Sequence, residues 1–109
     1  MKEVIDVKTK YINYPCIIEF AQYRNGQISI KLADADTGDP AATATACLDG
    51  VIDIDWQSND FKGVTAIKDY AENEGMFKAL IKAGIIEPTG KVIQTEYVAF
   101  PLARVLRNG

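Results

Sequence analysis

The sequence predicts an α+β domain, with one antiparallel β-sheet of about five or six strands and one principal α-helix packed on one face. Three observations predict it. The dipeptide Asn25-Gly26 separates two β-rich runs, further runs of small and β-branched residues follow, and one stretch after Glu74 carries apolar residues at helical spacing. With 109 residues and 48% hydrophobic content, the chain is expected to form a single domain, 1–109, whose core needs neither metal nor disulfide.

The run "CIIEFAQYRNGQISIKLADA" reads as a β-hairpin. A two-residue type I′ loop at Asn25-Gly26 would set Tyr23 opposite Ile28 and Ala21 opposite Ile30, with Ile28, Ile30 and Leu32 on the core face and Gln27, Ser29 and Lys31 on the other. After the turn signal "ADTGDP", Ala42 to Leu48 is expected to pair back as a third strand. "VIDIDW" alternates Ile52, Ile54 and Trp56 against Val51, Asp53 and Asp55, which fits a short edge strand with outward carboxylates. Val64 to Tyr70 reads as another strand.

From Glu74, the apolar residues Met76, Phe77, Leu80 and Ile81 recur at helical spacing. Asn73 is positioned to cap this helix, while Asp69 with Glu72 offers a capping box one turn earlier. Gly84 marks the stop, with Ile85 placed to fold back onto Leu80 and Pro88 preventing continuation. Val92 to Leu106 then returns as one or two strands, with Pro101 restricted to an edge or a bulge.

The composition narrows the chemistry. The chain contains no histidine, so histidine bases, histidine metal ligands and Ser-His or Cys-His nucleophiles are excluded. Cys16 and Cys47 lack C-x-x-C spacing and read as reduced core thiols. No apolar run is long enough for a signal peptide or a membrane span, so a cytoplasmic location is expected. Asp34, Asp36 and Asp39 form an oxygen-rich loop, but an EF-hand needs glycine and glutamate where Asp39 and Thr45 stand, so no metal is expected. Asp53 and Asp55 share a strand side without a pocket to separate their acidities. Neither a cofactor nor an enzyme of recognisable class is expected.

Charge is segregated along the chain. Residues 1–33 hold five basic and three acidic residues, residues 34–74 hold two and ten, and residues 75–109 hold five and two. Asp34, Asp36, Asp39, Asp49, Asp53, Asp55 and Asp60 are therefore expected to form a negative surface for a basic protein partner, with Trp56 as its apolar anchor. A net charge of −3 gives no field for direct nucleic-acid binding. The alternative is a small-ligand domain using Tyr11, Tyr14, Tyr23 or Trp56 as an aromatic platform.

"IKDYAENEGMFKALIKAGIIEPTGKVI", taken with "KLADADTGDPAATATACLDG", resembles a family of small uncharacterised domains carried by bacterial phages, plasmids and conjugative elements. The resemblance runs from Lys31 onward, and "VIDIDWQSNDFKG" makes the chain longer than the family pattern between Asp49 and Val64. It implies an accessory role in a bacterial host, such as inhibition of a defence protein. It carries no catalytic residue.

Overall fold

A computed structural model describes residues 3–107. Strands β1 (Glu3–Lys8), β2 (Asn13–Gln22), β3 (Ile28–Asp34) and β4 (Pro40–Thr43) form an antiparallel sheet in the order β1-β2-β3-β4. Strands β5 (Val64–Ala66), β6 (Ile86–Gln94) and β7 (Ala99–Val105) form a second, in the order β5-β7-β6. Helix α1 (Met76–Lys82) follows a short 3₁₀ turn at Ala71–Asn73. The fold is α+β, but the single sheet of five or six strands becomes two sheets with seven strands among the described residues.

The split arises at residues 44–46. Beyond Thr43, the Ala44 N–H still reaches the Ile30 carbonyl, while the Ala44 carbonyl accepts the Lys68 N–H and the Ala46 N–H reaches the Ala66 carbonyl. Small side chains let this crossing strap lie against both sheets. The expected strand Ala42–Leu48 therefore ends early, although its antiparallel pairing with β3 is as expected.

The hairpin between β2 and β3 differs from its expected register. The Gly26 N–H bonds the Tyr23 carbonyl and the Tyr23 N–H bonds the Gln27 carbonyl, giving a three-residue loop. Gly26 alone there has a positive φ, +90°, whereas a type I′ turn needs two such residues. Gln22 consequently faces Ile28 and Phe20 faces Ile30, one residue from the expected pairing. Ile30 and Leu32 are buried as expected, but so are Gln27 and Ser29. β3 is covered on both faces at this end.

Gln27 explains how a polar residue is buried there. Its amide nitrogen donates to the Ala46 carbonyl at 2.6 Å and to Thr65 Oγ1 at 3.0 Å, and its amide oxygen accepts the Leu48 N–H at 3.0 Å. Thr65 Oγ1 in turn donates to the Ile28 carbonyl at 2.7 Å. One side chain thus ties β3, the strap and β5 together, and buried amide groups left without such partners would be costly.

Two apolar clusters result. The first joins Ile5, Val7, Cys16, Ile18, Ile30 and Leu32 to Met76, Leu80, Ile85 and Ile86. The second joins Leu48, Trp56, Val64, Ile93, Phe100 and Leu102. Helix α1 covers the first sheet with Met76, Ala79 and Leu80, while Ile81 is exposed at the edge of the apolar stripe. Its ends are instructive. Asn73 does not cap it: that side chain is buried and donates to the Thr43 carbonyl at 2.7 Å. Asp69 does the work instead, its carboxylate accepting the Phe77 N–H at 2.9 Å. At the other end Gly84 (φ +75°) bonds the Ile81 carbonyl, and the Ile85 N–H returns to the Leu80 carbonyl at 3.0 Å, a Schellman stop.

Pro101 lies in β7, the central strand of its sheet, rather than on an edge strand. Its carbonyl accepts the Ile67 N–H, just past the end of β5, so the absent proline N–H falls where that partner strand has stopped. On its other side, the register with β6 shifts between Pro88 and Val92. Cys16 is buried, whereas Cys47 projects from the strap and is exposed, against the expectation of two core thiols.

Candidate functional site

Among the described residues, no helix is long and apolar enough to cross a membrane, and no group of three His, Cys, Asp or Glu side chains converges as a metal site. The acidic residues of the central segment occupy two places. Asp34, Asp36 and Asp39 lie at the β3–β4 turn, where the Ala35 N–H reaches the Pro15 carbonyl. Asp34 is engaged in building that turn, its carboxylate accepting the Asp36 N–H at 2.8 Å. Asp49, Asp53 and Asp55 lie at the opposite end of β3. There Asn25, of the β2–β3 loop, lines a small cleft with Asp49 to Ile54, and Gly26 packs against Gln57.

The length of β3 separates the two groups by about 20 Å at strand rise. That exceeds the roughly 8 Å over which exposed charges sense each other at physiological ionic strength. The single negative surface expected from the sequence is therefore two patches acting independently. Asp60 leaves the second patch as well: it lines another cleft beside Lys91 and Arg104, whose charges oppose it.

The stretch expected as an edge strand is a loop. The Val51 and Ile52 N–H groups both bond the Leu48 carbonyl, at 3.0 and 3.2 Å, so the chain turns tightly instead of extending. Asp55 closes the loop by accepting the Gln57 N–H at 3.1 Å, while its backbone carbonyl accepts from Ser58 Oγ at 2.8 Å.

Trp56 is the main correction. It is only 3% exposed, stacked edge-on against Phe61 with ring centroids 5.8 Å apart, and so cannot be a surface anchor. Burying its large ring in the second cluster gains more than exposing it. Among the described residues its indole N–H finds no hydrogen-bond partner. Within the Asp49–Asp55 loop, the exposed large apolar residues are Val51 at 57% and Ile52 at 40%. Alternation placed Val51 outward with the carboxylates but assigned Ile52 to a core face, so the exposed pair was missed. The available signal was the run "LDGVID", in which Gly50 and flanking acids mark a turn tip.

Loop Asp49–Asp55 thus presents two aliphatic side chains between Asp49 and Asp53, pinned at one end by buried Leu48 and at the other by buried Trp56. The aromatic platform fares differently. Tyr11 is exposed, and the Tyr23 hydroxyl is engaged with Thr45 Oγ1 at 2.9 Å. Tyr14 stands on β2 by the Asp34 turn, where desolvation, Cys16 and Asp34 raise its pKa. With Trp56 in the core, no ring pair among the described residues joins any two of these four aromatics. Comparison with family models, curated proteins and solved structures returns no match.

Proposed function

We propose that this chain is a non-enzymatic protein-binding module that engages a basic partner through the Asp49–Asp55 loop. One observation carries the reading: Val51 and Ile52 are exposed between two carboxylates on a loop that buried Leu48 and Trp56 hold in place. An apolar centre with a charged rim is the arrangement of interface hot spots. Fully burying one such aliphatic side chain contributes about 1.5–3 kcal/mol, and the carboxylates steer the partner and set its register. In the mobile-element setting implied by the resemblance, a defence nuclease or another nucleic-acid-binding protein offers a suitable basic surface, and occupying it would inhibit it. Asp34, Asp36 and Asp39 form a separate acidic patch that this contact does not require.

The test is affinity capture from a bacterial host with three proteins: wild type, a charge variant (Asp49→Asn, Asp53→Asn, Asp55→Asn, Asp60→Asn) and an apolar variant (Val51→Ser, Ile52→Ser). Asparagine at position 55 keeps the turn-forming acceptor, so the charge variant should stay folded. Wild type is expected to retain a basic protein that elutes early as salt rises, and both variants should lose it. If folded variants capture the same proteins at the same salt sensitivity, the loop is only a solvated surface and this reading fails.

A further inference from the structure

Strand β1 is the outermost strand of its sheet, and the direction of its free backbone groups can be derived. The Pro15 carbonyl accepts the Ala35 N–H at 3.0 Å, so Pro15 turns toward β3. Alternate residues of a strand address alternate neighbours, so Tyr14, Cys16 and Ile18 turn toward β1, where they lie opposite Val7, Ile5 and Glu3. Val4, Asp6 and Lys8 therefore aim their N–H and C=O groups outward. Among the described residues, no strand pairs with them.

Beside this edge lies a slot of about 1120 Å³ between β1 and α1. Gly75, Ala79 and Ala83, each a turn apart, line its helix side, and their small side chains leave it open. Both ends are closed. Arg107 pairs with Glu3 at one, and at the other Lys10 pairs with Glu74 at 3.8 Å and donates its backbone N–H to the Glu74 carbonyl at 3.0 Å. The edge open between them, Val4 to Lys8, spans about 13 Å at strand rise, enough for a short added strand. Those two pairs consume Lys10 and Arg107, leaving Lys8, Lys78 and Lys82 along the slot against one carboxylate, Asp6.

We infer that this slot binds an extended acidic segment of a partner protein, which adds a strand alongside β1 and sets its carboxylates against Lys78 and Lys82. Main-chain hydrogen bonds to Val4, Asp6 and Lys8 supply affinity, and the lysines supply the charge preference. A second β1 strand brings no net charge to set against this excess, because its Glu3 is already paired with Arg107 and its Asp6 is balanced by Lys8. The site is independent of the Asp49–Asp55 loop and opposite to it in sign.

The test uses short fluorescein-labelled peptides that alternate valine with glutamate, valine with lysine, or valine with glutamate carrying N-methylated backbone amides. The glutamate peptide is expected to bind saturably and to slow exchange of the Asp6 and Lys8 amides, while the lysine and N-methylated peptides should not bind. Asp6→Pro removes an outward N–H without touching the ladder to β2, as proline on an edge strand permits. It also removes the one opposing carboxylate, so charge alone would strengthen binding. Lost strand pairing should instead weaken binding roughly tenfold, the scale of one or two hydrogen bonds. Lys78→Glu with Lys82→Glu should weaken it similarly, and the Asp49–Asp55 loop variants should leave it unchanged. Three results would each overturn the inference: no saturable binding of the glutamate peptide, equal binding of the N-methylated form, or a wild-type dimer that Asp6→Pro dissolves. If Asp6→Pro does not fold, the N-methylated peptide decides alone.

Discussion

The two apolar clusters are built in different ways. The first is built mainly from neighbouring strands β1 to β3 and a helix whose apolar residues recur every three or four positions, with Ile67, Ile86 and Ala103 added from the second sheet and its approach. The second draws Leu48 and Trp56 from a loop, Val64 from β5, and Ile93, Phe100 and Leu102 from the later β6–β7 hairpin. Periodic elements supply most of the first cluster, whereas the second depends more on how the chain crosses between sheets. The displayed loop belongs to the second.

Trp56→Ala strikes this difference hardest. It should cost about 3–5 kcal/mol, as loss of a buried aromatic ring does. Because Trp56 pins one end of the Asp49–Asp55 loop, amide exchange should accelerate there before it does in β2 and β3. A uniform acceleration would show that the loop is held by something else. Leu80→Ala, in the first cluster, should cost about 2–5 kcal/mol in urea melts while the loop keeps its exchange rates at low denaturant. A much smaller loss would mean that the helix face is not core.

Gln27→Ala tests the join between the clusters. It leaves the Ala46 carbonyl and the Leu48 N–H without partners, at about 1–3 kcal/mol each. The loss should fall within about 2–6 kcal/mol, and unfolding monitored in the two sheets should separate into two transitions. If the transitions stay coincident, the strap at residues 44–46 is enough to couple them. The smallest effect concerns the two thiols and needs no mutation. Cys47 is exposed and should be alkylated in the folded protein at neutral pH. Cys16 is buried, and desolvation together with nearby Asp34 raises its pKa, so it should react only on unfolding. Peptide mass spectrometry distinguishes the two, and equal labelling would contradict the packing of β2.

The same contrast marks what was legible in the sequence. The first layer was largely readable, since the β2–β3 hairpin, the pairing of β4 and the Gly84 stop are all local patterns. Even there the hairpin slipped by one residue, because Asn-Gly serves a three-residue loop as readily as a two-residue one. Of the second layer, strands from Val64 and between Val92 and Leu106 were expected, but not the separate sheet they form or its join to the first. Nothing periodic announces that Gln27 joins two sheets across the chain, or that the alternation in "VIDIDW" ends in a turn closed on the Leu48 carbonyl. Of the site, the acidic residues were evident as a composition, but their division into two patches depends on the length and direction of β3. Alternation set Trp56 on the face opposite the outward carboxylates, where the structure buries it, and the anchor role expected of it set that signal aside.

The pinning of the Asp49–Asp55 loop also bears on how such a surface could change. Its ends are fixed by residues whose side chains never meet solvent, while the tip contributes little to the interior. Substitutions at Val51, Ile52 and Asp53 are therefore largely uncoupled from folding, and the tip can diversify as antibody loops do on a constant framework. A library randomised at those positions, with Leu48, Gly50 and Trp56 held constant, should give mostly folded chains. That frame could be retargeted to new partners without redesigning the domain beneath it.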